Sequence, residues 1–171
     1  IYPNVDWEKA MFDNFALNTH KLSLNIQGGG KALKYFGSMA YLHEGDMFKY
    51  YDNYKSYNPN YNFDRFNFRS NVDFDLTTTT KLRLNLSGFF SRKNTNWGNE
   101  GSGRADEWMW AATYALAPNL YLPKYNDGYW GTYWDGNNSN TNPAAVVYNL
   151  GIRQTRTTQL NADFHIIQNL D

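Results

Sequence analysis

The chain has 171 residues, and its 16 basic side chains balance 16 acidic ones, so the formal net charge is zero. A neutral chain lacks the basic surface that binds nucleic acid, and the absence of cysteine excludes disulfides and thiolate metal sites. No stretch reaches the ~20 consecutive apolar residues of a transmembrane helix, but a transmembrane β-strand needs only ~9–11 alternating residues.

Residues 1–17 predict a loop followed by a short helix. Asp6 is a suitable N-cap, because its carboxylate can accept a hydrogen bond from a backbone N–H of the first turn. Trp7, Met11 and Phe15 follow at four-residue spacing and would share one helical face. We interpret this segment as a packing helix rather than a binding site.

Two strands are predicted at residues 20–27 and 33–44, joined by a tight turn at Gly28–Lys31. Successive side chains of a strand point to opposite faces, so alternation gives a strand one apolar and one polar face. In the first strand the apolar set is Leu22, Leu24 and Ile26. In the second the alternation is weaker, and the predicted outer set is Tyr35, Gly37, Met39 and Tyr41.

The clearest pattern is a β-hairpin with strands at about residues 64–76 and 81–91 and a turn at Thr77–Lys81. Almost every second position is apolar, and the apolar residues are Phe66, Phe68, Val72, Phe74, Leu82, Leu84 and Leu86. The polar positions between them are Asn67, Arg69, Asn71, Asp73, Asp75, Arg83 and Asn85.

A long excursion over residues 92–153 follows, and its length predicts a functional or structured loop. A helix is predicted within it at Arg104–Ala117, ended by Pro118. The segment after this helix is crowded with Tyr, Trp, Gly and Asn, and we interpret its Asn126-Asp127-Gly128 as a turn. The fifth strand is predicted at residues 157–168, where Leu160, Ala162, Phe164 and Ile166 alternate with polar residues. Short and long connections thus alternate along an antiparallel, all-β chain.

The two faces of these strands fit two classes of protein. In a soluble β-sandwich the apolar face packs into a core, whereas in a membrane barrel it meets lipid and the polar face lines the lumen. Strand lengths near ten residues and the alternation of short and long connections favour the barrel. So do aromatic residues near strand ends, at Tyr35, Tyr41, Phe63, Phe66 and Phe90. Five strands cannot close a barrel, so the membrane interpretation makes this chain a segment of a larger one. The alternative is a soluble carbohydrate-binding β-sandwich.

Five stretches then carry motifs of one family. They are YPNVDW before the short helix, HKLSLNIQGGGKALKYFGSMAYLHEGDMFK, the hairpin YNFDRFNFRSNVDFDLTTTTKLRLNLSG, the loop LYLPKYNDGYW, and NPAAVVYN before the last strand. Together they resemble the barrel region just after the plug of SusC-type TonB-dependent outer-membrane transporters. The resemblance covers nearly the whole chain and implies that the sequence is a fragment.

The resemblance implies a large plugged barrel in the outer membrane of a Bacteroidota-type cell. A SusD-type surface lipoprotein would act as a lid that captures an oligosaccharide or oligopeptide, and the TonB complex would drive import through parts of the protein absent here. Transporter–lid pairs would form oligomers in the lipid bilayer. No bond is broken, so we expect no enzyme activity, cofactor or metal. Asp73 and Asp75 share a strand face, but no nucleophile–base set accompanies them.

The resemblance makes the long connections extracellular. Flat aromatic side chains suit sugar rings and peptide side chains, and the candidate ligand-binding residues are Trp97, Trp108, Trp110, Tyr129, Trp130, Tyr133 and Trp134. The competing interpretation is that these aromatics pack the loop onto itself or against the lid. The residues expected to face the lumen or plug are Asn67, Arg69, Asn71, Asp73, Asp75 and Arg83, with a solvated wall as the alternative.

Overall fold

The computed structural model describes residues 2–12, 18–49, 61–97, 105–134, 139–140, 142–149 and 151–170. The chain forms two compact units. The sheet unit consists of residues 19–44, 63–93 and 155–171, and the loop unit consists of residues 1–18, 45–62 and 94–154.

The sheet has five strands hydrogen-bonded in sequence order. They are β1 (Thr19–Gly29), β2 (Leu33–Glu44), β3 (Asn62–Asp75), β4 (Thr80–Trp97) and β7 (Gly151–Gln168). β5 and β6 are two-residue strands in the loop unit, at Tyr133–Trp134 and Ser139–Asn140. The open, five-stranded antiparallel sheet confirms the predicted fold class.

The register aligns the alternating residues into two continuous faces. Leu24 lies opposite Met39, and Met39 lies opposite Phe68 on the next strand. Asn67 lies opposite Ala40, on the other face. The predicted outer set of β2 therefore shares one face with the apolar residues of β1 and β3. We call this the apolar face and the opposite one the polar face. Phe63 lies opposite Glu44, so its register places it on the polar face, away from Phe66.

Both short connections close at the same end of the sheet. At the β3–β4 turn, Leu76 N–H donates to the Thr80 carbonyl at 2.9 Å, and the Thr77 hydroxyl accepts from Thr80 N–H at 2.9 Å. At the β1–β2 turn, Gly30 N–H donates to the Leu33 carbonyl at 2.7 Å. The long connections therefore leave from the opposite end.

The strands differ in length from the sequence-based limits. β2 coincides with the predicted 33–44, and β1 and β3 differ by one or two residues at an end. β4 continues to Trp97 and β7 begins at Gly151, so the excursion is shorter at both ends than the predicted 92–153. The two extensions could not be predicted from the sequence pattern, because Arg92–Asn96 and Arg153–Thr157 are polar and carry no apolar alternation.

The described residues of the loop unit form three helices and a buried core. These are α1 (Trp7–Met11), α2 (Ala105–Ala115) and α3 (Pro143–Asn149). Asp6 is the N-cap of α1, and its carboxylate accepts Lys9 N–H at 3.1 Å. Helix α1 packs against α2 and α3, and its Met11 lies in a cluster with Phe12, Phe48 and Ala144. Phe15, expected on the same helical face, lies outside the described residues. No helix in the described part of the chain is long and apolar enough to cross a membrane.

Candidate functional site

The polar face of the sheet carries a ladder of charge-assisted contacts. Arg83 Nε donates to Asp73 Oδ1 at 3.0 Å, and Lys81 Nζ lies 3.4 Å from Asp75 Oδ1. These pairs join β3 to β4 across the hairpin. Both partners of each pair are about half exposed, so screening by solvent limits what each contributes to stability.

Further along the same face, arginines bond asparagines on their own strand. Arg69 Nε donates to Asn71 Oδ1 at 3.0 Å, and Arg65 Nε donates to Asn67 Oδ1 at 2.9 Å. Arg65 also stacks on Phe89, with its guanidinium carbon 4.2 Å from the ring centroid. The structure therefore brings together the six polar residues singled out from the sequence.

Two open depressions of about 420 and 410 Å³ lie along this face. The first is lined by charged groups that include Lys34, Arg69 and Arg83. The second is lined by amides and hydroxyls from β3, β4 and β7, including Asn67, Asn85 and Asn161. Both signs of charge and many amides stand side by side, which suits recognition of a polar protein surface by several directional hydrogen bonds.

The apolar face is exposed. Leu24 is 66% exposed on β1, and Phe164 is 76% exposed on β7. Phe66, Phe68 and Phe90 form a row of rings, with centroid separations of 6.4 and 6.1 Å. A β-sandwich would bury such side chains in a core. None of the buried apolar residues of the described chain belongs to the sheet unit.

Two of the candidate ligand-binding tryptophans pack inside the loop unit. Trp110 stacks on Phe12 with ring centroids 4.5 Å apart. Trp130 contacts Tyr148 at 5.0 Å between centroids, and Lys124 Nζ lies 5.2 Å from its ring centre. Both side chains are partly buried against the core, so their observed contacts stabilise the loop.

The two tyrosines of the candidate set are exposed. Tyr129 is 74% exposed and Tyr133 is 42% exposed. Tyr129 flanks a tight hairpin in which Tyr125 N–H donates to the Tyr129 carbonyl at 2.8 Å. Gly128 adopts a φ of 90°, which favours glycine, and so the predicted Asn-Asp-Gly turn is confirmed.

Three candidates have no described side-chain environment. Trp97 is the last residue of β4, Trp108 lies in α2 and Trp134 lies in β5. Their backbone positions are described, but their side chains lie outside the described part of the structure.

Two buried polar side chains that the sequence did not single out fasten the loop unit. Asp46 Oδ1 accepts Phe48 N–H at 2.8 Å, and Oδ2 accepts Tyr61 N–H at 2.6 Å. Burial of this carboxyl raises its pKa to about 6, against the opposing effect of these backbone donors. Asn142 caps α3 through Oδ1 and donates through Nδ2 to the Pro123 and Gly131 carbonyls.

A polar cluster on the apolar face was also missed. Asp64 accepts hydrogen bonds from Tyr41 and His43 of β2 and from Arg92 of β4. The sequence signal is the spacing, because residues two positions apart in a strand share a face. Asp64 and Arg92 each stand two residues from an aromatic of the apolar face. We call Tyr41, His43, Asp64 and Arg92 the outer-rim cluster.

Comparison with solved structures gives a match over almost the whole chain. The structure of the RagAB peptide importer in its "closed-closed" state matches 99% of this chain, with a TM-score of 0.60 and 19% sequence identity. The chain therefore has the fold of part of that importer's barrel. No protein-family model matches the chain. No curated protein sequence matches it either.

The match confirms the resemblance to SusC-like transporters at the level of fold. The chain spans only 18% of the length of the matched importer chain, as expected for a segment of a SusC-like barrel. At this level of identity the shared feature is the path of the backbone.

Proposed function

We propose that this chain is a wall segment of an outer-membrane TonB-dependent active importer of oligosaccharides or oligopeptides, working with a SusD-type lipoprotein lid. The observation that carries the proposal is the structural match over 99% of the chain. It is supported by a sheet that carries an exposed apolar face and an opposite polar face across its five strands.

The apolar face would meet lipid. From Phe66 to Leu76 it spans ten residue steps, or ~33 Å along a strand that rises ~3.3 Å per residue. At the ~40° tilt of membrane barrels this gives a height of ~25 Å, which is the height of their apolar band. The alternative of a soluble β-sandwich requires this face to be covered, and the exposure of Leu24 and Phe164 argues against it.

The polar face would line the lumen and contact the plug. Asn67, Asn71 and Asn85 present amides that both donate and accept hydrogen bonds. The Arg83–Asp73 and Lys81–Asp75 pairs offset two of the positive charges of this face, and the amides beside them offer hydrogen bonds. Such a surface can hold a plug and also release it when TonB pulls.

The loop unit would lie outside the cell and meet ligand or lid. Its exposed tyrosines, Tyr129 and Tyr133, are the better candidates for direct contact. Trp110 and Trp130 would act by holding the loop in shape. The matched structure is of a peptide importer, which supports an oligopeptide as one of the two ligand classes.

Cell fractionation and gel mobility test the membrane assignment. The complete transporter that carries this segment should require detergent for extraction. It should also run at different positions on a gel before and after boiling, because a folded barrel resists denaturation in cold detergent. Recovery of the native protein without detergent would overturn the proposal and favour the soluble carbohydrate-binding module.

Three single alanine substitutions test the ligand site. Tyr129→Ala should weaken ligand affinity of the transporter–lid complex while leaving loop structure unchanged. Trp130→Ala and Trp134→Ala should be measured beside it. Unchanged affinity in all three variants would refute a ligand role for this loop, whereas a loss accompanied by increased protease sensitivity would indicate a packing role for the residue changed.

A further inference from the structure

We propose that the outer-rim cluster, together with the neighbouring Arg156, binds the phosphate of an outer-leaflet lipid headgroup. This inference rests on the proposed function, because it needs the apolar face to meet lipid. The cluster lies on that face, at the end of the sheet from which the long connections leave.

Asp64 organises the cluster. Its Oδ1 accepts from the Tyr41 hydroxyl at 2.8 Å and lies 2.7 Å from His43 Nδ1. Its Oδ2 accepts from Arg92 Nη2 at 2.8 Å. Three donors from two neighbouring strands thus converge on one carboxylate whose side chain is only 18% exposed. The negative charge of this carboxylate is offset by the guanidinium of Arg92.

The bond to Asp64 fixes the position of Arg92 but leaves most of its N–H donors available. Its side chain is 52% exposed, and the bond to Asp64 takes one of the five N–H donors of a guanidinium. A guanidinium fixed by one carboxylate keeps the planar fork that binds phosphate oxygens in pairs.

A second arginine lines the same depression as Arg92. An open depression of about 320 Å³ is lined by Arg92, Arg156 and Thr158, with Phe66, Phe90 and the Asp64 group among its other walls. Thr158 adds a hydroxyl that can donate to a phosphate oxygen.

The position of the depression fits a lipid rather than a free anion. Phe66 and Phe90 border it on the side of the apolar band, where acyl chains would lie, and the arginines stand beyond them. A lipid presents the same order, with apolar chains below a phosphate. Tyr41 has an apolar ring and a polar tip, which is the character of residues that sit at a membrane interface. His20 stacks near His43, with ring centroids 6.2 Å apart, and extends the polar rim on β1.

Native mass spectrometry of the complete transporter tests this site. Purified protein is incubated with phosphatidic acid, and in parallel with phosphatidylcholine, whose choline shields the phosphate charge. Wild type should retain phosphatidic acid in preference. The double variant Arg92→Gln/Arg156→Gln should retain less than about a tenth as much phosphatidic acid as wild type, because both guanidinium contacts are lost. The matched control is Arg83→Gln, which removes an arginine of similar exposure from the polar face and should retain lipid like wild type.

Two further arms identify the source of the phosphate and guard against misfolding. Excess inorganic phosphate should not displace the lipid; displacement would overturn the headgroup assignment. Arg92→Lys keeps the charge without the fork and should give intermediate retention. If the double variant loses heat-modifiable migration, Arg92→Lys is compared with wild type in its place. Retention of phosphatidic acid by Arg92→Lys equal to that of wild type would then overturn the inference.

Gel migration of the same samples separates the two proposals. A wild type without heat-modifiable migration contradicts the proposed function. A heat-modifiable wild type that retains phosphatidic acid no better than the double variant contradicts this inference alone.

Discussion

Replacement of the buried Asn142 should loosen the loop unit. Its side chain is 4% exposed and makes four hydrogen bonds. Oδ1 accepts from Ala144 N–H at 3.0 Å and Ala145 N–H at 3.3 Å, at the start of α3. Nδ2 donates to the Pro123 carbonyl at 2.7 Å and the Gly131 carbonyl at 2.9 Å. The amide thus joins the helix to two turns of the preceding loop.

The cost of Asn142→Ala follows from these contacts. Loss of an N-cap costs ~1 kcal/mol. The buried Gly131 carbonyl loses its amide partner, at a cost of ~1 kcal/mol. The Pro123 carbonyl still accepts Gly131 N–H at 3.4 Å, so losing the Asn142 amide costs this carbonyl no more than it costs the Gly131 carbonyl. The sum is ~3 kcal/mol, or a factor of ~150 in the opening equilibrium of this region.

Hydrogen exchange in the complete transporter measures this equilibrium locally. The amides of α3 and of residues 121–131 should exchange about two orders of magnitude faster in Asn142→Ala than in wild type. Amides of β1 and β2, which belong to the other unit, should exchange unchanged and serve as the internal control.

Asn142→Asp separates the two halves of the contact. Aspartate keeps the capping oxygen but cannot donate, and it places a negative charge against two carbonyl oxygens. Residues 121–131 should therefore open, while the first turn of α3 keeps most of its protection. Exchange in Asn142→Asp identical to wild type would refute the role assigned to Nδ2, and an unchanged Asn142→Ala would refute the whole account.

Three other predictions concern a buried acid, a strand face and a close backbone approach. Because burial raises the pKa of Asp46 from 3.8 to about 6, the folded chain holds this proton more tightly than the unfolded chain. Protonation of Asp46 therefore stabilises the folded chain fully below about pH 4, and this stabilisation is lost as the pH rises through about 6. Across this range the free energy of unfolding of wild type should fall by up to ~3 kcal/mol relative to that of Asp46→Asn. A pH-independent difference in local opening between the two proteins would contradict this. Leu24→Arg should reduce the yield of heat-modifiable barrel, because an arginine that faces lipid destabilises a barrel by ~2–4 kcal/mol. Asn25→Arg, on the opposite face, should be tolerated. Equal yields would show that the faces are assigned wrongly. A Cβ at Gly131 would overlap the Leu122 carbonyl oxygen, while one at Gly30 would meet nothing within 4 Å. Gly131→Ala should thus destabilise the loop by ~1–3 kcal/mol in exchange measurements, with Gly30→Ala as its neutral control.

The sheet could be predicted because its information is local. In β3, the alternation from Phe66 to Asp75 assigns every side chain to a face without knowledge of any neighbour. Pairing then follows from the short turns, which allow only antiparallel neighbours. The extensions of β4 and β7 were missed for the same reason. Their polar residues carry no alternation, and contacts such as Gln154 Nε2 to Asn94 Oδ1 at 2.9 Å join residues 60 positions apart.

The loop unit could be predicted only in part, because its contacts are distant in sequence. The helix over Ala105–Ala115 and the Asn-Asp-Gly turn have local signals and were expected. The Pro-Ala-Ala segment after Asn142 also has one, an asparagine cap followed by proline at the first helical position, but it was interpreted only as a family motif. The stacking of Trp110 on Phe12 joins residues nearly a hundred positions apart. A list of aromatic residues cannot separate such packing side chains from exposed ones such as Tyr129.

The distribution of buried residues also bears on what the segment needs in order to be stable. Within the described chain, every buried apolar residue lies in the loop unit, and the sheet unit buries none. A single-layered sheet with two exposed faces gains little from the hydrophobic effect in water, where its apolar side chains stay hydrated. In a bilayer the same side chains are solvated by lipid, but each unpaired edge group then costs several kcal/mol. β1 and β7 are the two edges of this sheet. Under the proposed function both must pair with further strands of the barrel, so the wall is stable only when closed, while the loop unit brings a core of its own.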